Sequence, residues 1–274
     1  MEKVQVIPDH LPNKINYKII IMCILLTVVF HYCIESFSSV EGFDKYSSYI
    51  IEIAFIISPL VAGIFTFVIA GLYKLSKVFG RSYLLLGFGY LCSVTAELLF
   101  GIQNDIMKVD SYPSIADPFY ASLNIFLIVY IIINTRFFSQ KMYSNSGMRG
   151  YIEIRTLLLF ISVFCIIVLS YIFISAIHEN FQISFEFFYG LFFVILAGIT
   201  LPFLLYAVLL FKNSILGKVW HVLLFAFIIL IMGDVWYYYL EIFGQYHVFH
   251  PVNIFWLSSY WIQIYALYKH KKVT

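Results

Sequence analysis

Apolar residues in this chain run in long unbroken blocks rather than alternating with polar ones, and short polar stretches separate the blocks. A helix needs a block of about 20 apolar residues to cross hydrocarbon, whereas a membrane β-strand shows a period of two. The pattern predicts eight helical spans near 17–34, 48–73, 82–102, 119–138, 154–177, 185–211, 219–243 and 252–268. The expected fold class is all-α: a polytopic eight-helix bundle forming one integral membrane domain over residues 1–274. Hydrocarbon offers the backbone no water, so each spanning segment must satisfy its own polar groups, and a helix does so.

Composition strengthens that picture. With 62% hydrophobic and 12% charged residues and a mean hydropathy of +0.91, the chain has too little polar surface to cover a soluble fold. The net charge of +2 is too small to point to nucleic acid, so the expected partner is the lipid bilayer.

Charge position gives an orientation, because Lys and Arg gather in cytoplasmic loops. Lys3, Lys14, Lys18, Lys74, Lys77, Arg81, Arg136, Lys141, Arg149, Arg155, Lys212, Lys218, Lys269, Lys271 and Lys272 fall on one side, 15 of the 17 basic residues. Only Lys45 and Lys108 fall on the other, which places both termini in the cytoplasm. The first span reads as a retained anchor, since HYCIESF after it offers no small-x-small cleavage site. Cys23, Cys33, Cys92 and Cys165 all lie within spans, so no disulfide framework or CxxC metal pattern is present.

The acidic residues show the opposite bias. Glu35, Glu41, Asp44, Glu52, Glu97, Asp105, Asp110, Asp117, Glu179, Glu186, Asp234 and Glu241, joined by His178, His247 and His250, lie on the external side or in the outer parts of spans. Ionisable groups within a span are costly and mark either helix register or a site. Asp234 lies about 13 Å below the outer end of its span at 1.5 Å per residue. Helical spacing puts Asp234, Tyr238 and Glu241 on one face, and Asp117, Tyr120 and Asn124 on another, with Glu97 above Ser93 on a third. These three faces are expected to converge, giving Glu97, Asp117, Tyr120, Asp234, Tyr238 and Glu241 as candidate ligand-binding residues. His247 and His250 form an i, i+3 pair and are the weak candidates for a metal. No catalytic nucleophile pattern such as GxSxG or HExxH occurs, and no lysine lies deep in a span where a retinal Schiff base would need one. The sequence identifies no cofactor, and the balance favours a non-enzyme.

The halves show a weak internal likeness. AELLFGI at 96–102 pairs with YLEIFGQ at 239–245, and each precedes a proline-bearing loop and an aromatic helix start, so Asp117-Pro-Phe-Tyr matches Asn253-Ile-Phe-Trp. Both segments run outward, which implies a parallel repeat of four spans plus four.

YPSIADPFY at 112–120, with GDVWYYYLEIFGQY at 233–246 and the following HPVNIFWLSSYW, resembles the multi-spanning sensor modules at the amino-terminal end of some bacterial diguanylate cyclases and archaeal histidine kinases. Those modules carry Pro-Ser-x-Ala-Asp-x-Phe-Tyr and Gly-Asp-x-x-Tyr elements. The resemblance covers the third and fourth spans and the last two, and implies a helical sensor in which Asp117 and Asp234 occupy the family's acidic positions. Unlike those modules, this sequence carries no kinase or cyclase region, so an output would come from a separate signalling partner. Two further classes stand beside this one: an accessory or structural subunit of a larger membrane complex, and a transporter or membrane enzyme. The cell membrane is the expected location; the KHKKVT ending would also suit endoplasmic-reticulum retrieval in a eukaryote.

Overall fold

In the computed structural model the described residues are 15–40, 42–74, 78–108, 112–143, 147–177, 185–211, 217–242 and 245–271. Lys3, Lys14, Glu41, Lys77, Asp110, His178, Glu179, Lys212 and Lys272 lie outside them, as do the side chains of Asp44, Lys45, Asp105, Lys141 and Arg149.

Among the described residues the fold is all-helical, with eight long helices: α1 (Tyr17–Ser38), α2 (Asp44–Leu72), α3 (Phe79–Gly101), α4 (Asp117–Tyr143), α5 (Gly147–Ile177), α6 (Phe185–Phe211), α7 (Gly217–Ile242) and α8 (Val252–Lys271). Each coincides with a span expected from hydropathy. The differences are polar ends: α4 continues to Tyr143 and α5 begins at Gly147, where charged turns stay helical beyond the apolar stretch that hydropathy detects. A π-helical turn, Ile102–Ile106, extends α3. Six of the helices, α1 to α4, α6 and α7, are long and apolar enough to cross a membrane.

Six helices close a ring in the order α2, α3, α4, α6, α7, α8 and back to α2. Outside it, α1 packs against α2 and α8, and α5 packs against α4 and α6. These principal pairings are unchanged when the first four helices exchange places with the last four: α1 takes the place of α5, α2 of α6, α3 of α7 and α4 of α8. The outer position explains the surface of α1 and α5, where Met22, Leu25, Leu26 and Val29, and Leu159, Phe160, Phe164 and Ile167, are exposed.

Many polar side chains within the bundle are satisfied locally or across helices. The hydroxyls of Ser58, Thr66, Thr135 and Thr200 each donate to the carbonyl four residues earlier, 2.7 to 2.8 Å away, which lets a hydroxyl sit in an apolar environment at little cost. Gly87 on α3 allows close approach of α2, since a Cβ there would meet the Phe67 ring at 2.8 Å. At the end of the ring where α8 finishes, Trp220 stacks on Tyr130 with ring centroids 5.5 Å apart. Beside them the buried His270 ring joins the hydroxyls of Tyr73, 2.9 Å from Nε2, and Tyr83, 3.2 Å from Nδ1. One imidazole thereby ties α8 to α3 and to the end of α2.

Candidate functional site

The opposite end of the ring, where α3 and α7 finish and α4 and α8 begin, encloses a cavity of about 80 Å³. A buried water needs roughly 10–15 Å³ on this measure, so the space suits a small organic molecule or several waters. Its walls come from five ring helices and the α7–α8 loop. Glu52 and Phe55 belong to α2, Glu97 and Phe100 to α3, Tyr120 and Asn124 to α4, Asp234, Tyr237 and Tyr238 to α7, and Trp256 and Tyr260 to α8. Tyr246 and Val248 line it from the loop. The Asn253 side-chain amide holds that loop by donating to the Val248 carbonyl at 2.5 Å.

Two carboxyl-bearing residues are fixed by their neighbours. Trp256 Nε1 donates to Asp234 Oδ1 at 2.9 Å, and the Asn124 side chain also hydrogen-bonds Asp234. Across the cavity Tyr120 hydrogen-bonds Glu97. Gly233 makes the first of these arrangements fit: a Cβ on it would lie 2.9 Å from the Trp256 ring. Below the cavity the Ser93 and Tyr260 hydroxyls meet at 2.8 Å, Tyr90 donates to Gln263 Oε1, and Gln263 passes the chain on to Ser259 at 2.6 Å.

The two acid contacts occupy corresponding places. In each half an acid on the third helix binds an aromatic side chain near the start of the fourth. Glu97 and Asp234 are separated by 137 residues, as are Gly80 and Gly217, Arg81 and Lys218, Tyr83 and Trp220, and Phe88 and Phe225. Tyr120 and Trp256 stand 136 apart. The register that matches the bonding therefore differs from that of the segments 96–102 and 239–245, which stand 143 apart.

Of the six candidates, Glu97, Tyr120, Asp234 and Tyr238 line the cavity together. Asp117 does not. It is buried at the first position of α4, where its Oδ2 accepts the Ser114 backbone N–H at 2.6 Å and its side chain meets Tyr189 on α6. Ser114 is itself held by Gln103 Oε1 at 2.9 Å, so this acid shapes the loop. Glu241 shares a helix face with Asp234 but is hydrogen-bonded by Tyr237 and is not part of the wall. Tyr238 contributes an edge of wall while its ring stacks on Phe193 of α6 at 4.2 Å. Sequence reasoning missed Glu52, Tyr237, Trp256 and Tyr260 as site residues. Glu52 was visible only as one of many outer acids, and the aromatics were too numerous to rank.

His247 and His250 face each other with ring centroids 5.4 Å apart, and His250 Nδ1 accepts the Val252 backbone N–H at 3.2 Å. Burial, with His247 and His31 nearby, holds the His250 imidazole below the usual histidine range. Among the described residues no group of three His, Cys, Asp or Glu side chains is arranged to hold a metal ion.

No family model, no curated protein and no solved structure matches this chain.

Proposed function

We propose that this protein is an eight-span integral membrane module with both termini in the cytoplasm, built as a parallel 4+4 pseudo-repeat, which binds a small ligand in an outer-leaflet acidic and aromatic cavity and acts as a sensor-like receptor. The observation that carries this reading is the meeting of Glu52, Glu97, Asn124 and Asp234, from four different helices, around one enclosed space. Side chains that served only to fix helix register would fill such a space with one another.

The positions of the basic residues support the orientation, and the exchange symmetry of the helix pairings supports the repeat. The resemblance of YPSIADPFY and GDVWYYY to sensor modules supports the receptor role over transport or catalysis. A ligand changes a receptor only by binding two packings unequally. Pro59 within α2 and Pro202 within α6 give two ring helices places to bend. Signalling then passes to a separate partner at the cytoplasmic side of the cell membrane.

Native mass spectrometry of protein released gently from its own membrane tests the reading. A small molecule retained by the wild type and lost from the Glu97→Gln, Asp234→Asn double variant is the expected result. A chain that carries no small molecule but holds a stoichiometric protein partner would instead make it an accessory subunit.

A further inference from the structure

Resting on the ligand-cavity reading, we propose that the cavity receives a small organic cation with at least one N–H, an alkyl- or arylammonium. The walls hold three carboxyl-bearing residues, Glu52, Glu97 and Asp234, and none of the lining residues is Lys, Arg or His. The wall therefore offers an anion no positive charge.

The hydrogen-bonding inventory points the same way. The donors closest to the acids are already committed: the Trp256 N–H and the Asn124 amide to Asp234, and the Tyr120 hydroxyl to Glu97. Beside them one buried acceptor is left open. Asn124 is 6% exposed and lines the cavity, and its Oδ1 has no hydrogen-bond partner. A buried acceptor without a donor is costly, so what fills the cavity is expected to bring a donor to it. An ammonium N–H supplies this hydrogen bond, and its charge is complementary to a wall that holds carboxyls and no basic side chain.

The rest of the wall fits the organic part of such a ligand. Phe55, Phe100, Tyr237, Tyr246, Trp256 and Tyr260 present rings, and aromatic faces attract a desolvated ammonium through the ring quadrupole. A bare metal ion would need several oxygens converging at roughly 2.0–2.6 Å. The described residues form no such group, whereas the rings favour an alkyl or aryl body.

The test uses the full chain in lipid nanodiscs, its thermal unfolding followed with n-butylammonium, n-butanol, butyrate and tetramethylammonium. Saturable stabilisation by butylammonium is expected, with butyrate inactive and with butanol and tetramethylammonium much weaker. The dissociation constant should rise roughly 10- to 100-fold in Asp234→Asn or Asn124→Leu, the loss of one charge-assisted hydrogen bond. Should a variant fail to fold, the wild-type series decides by itself. Equal stabilisation by butanol or butyrate would overturn the cation assignment, as would tetramethylammonium matching butylammonium. A neutral or anionic molecule found bound in native mass spectrometry would overturn it while leaving the ligand cavity intact. If no probe stabilises the protein and no molecule is retained, both readings fall.

Discussion

Trp256 donates its indole N–H to Asp234 across the α7–α8 contact at 2.9 Å, and Tyr120 holds Glu97 in the matching place between α3 and α4. A buried acid gains most from a partner that cannot leave, and an indole wedged against a glycine is such a partner. Trp256→Phe keeps the ring and removes the donor. It should lower stability by about 1–3 kcal/mol, read from reversible unfolding in mixed micelles. Unchanged stability would mean that Asp234 does not depend on this bond.

Gly233 and Gly71 make a paired comparison. A Cβ at Gly233 would press on Trp256 and on Phe255, whereas nothing lies within 4 Å of one at Gly71. Gly233→Ala should cost about 1–3 kcal/mol by overpacking and shift the tryptophan emission as the indole moves. Gly71→Ala should be neutral or stabilising by up to about 1 kcal/mol, since alanine favours a helix.

His270 offers a double-mutant test at the other end of the ring. A neutral imidazole has one donor and one acceptor nitrogen, which serve the two tyrosine hydroxyls in turn. His270→Phe leaves both hydroxyls without that partner and should cost roughly 2–5 kcal/mol. Adding Tyr73→Phe and Tyr83→Phe to it should recover part of the loss. A purely additive result would mean that the three residues are not one unit.

The loop over the cavity carries a pH dependence. Folding favours neutral His250, because burial disfavours its charge and protonating Nδ1 would release the Val252 N–H. A folded value below the usual one of about 6.5 means that this contribution is complete above pH ~6.5 and is lost as the pH falls below it. Melting temperature should therefore drop between pH 7 and 5. His250→Asn keeps an acceptor that does not titrate and should flatten the drop; an unaltered slope would assign the effect elsewhere.

Where the helices lie was legible because continuous apolar blocks have one physical reading in lipid. Which faces meet was only half legible. Glu97, Tyr120, Asp234 and Tyr238 stood out as polar groups in apolar runs, and all four line the cavity. Asp117 and Glu241 satisfy the same helical spacing but lie outside the wall, Asp117 held by the Ser114 backbone and Glu241 by Tyr237 of its own helix. Spacing along one helix gives a direction but not a depth. Trp256 and Tyr260 read in the sequence only as an i, i+4 aromatic pair, because their place in the wall depends on the pairing of α8 with α7 and α2, a tertiary fact that leaves no trace in the local pattern.

The closed ring also constrains how the chain can be made. The α2–α8 contact completes it, and α8 reaches back as far as Asn16, whose backbone N–H donates to the Tyr265 hydroxyl 249 residues away. At roughly 5–20 residues per second, Asp234 waits about 1–4 seconds for Trp256 during synthesis, and Glu52 waits on the order of 10–40 seconds. Through that interval the acids of a half-built ring face lipid, the insertion machinery or each other. The helix of the ring translated last, α8, is the one that gives them their final surroundings.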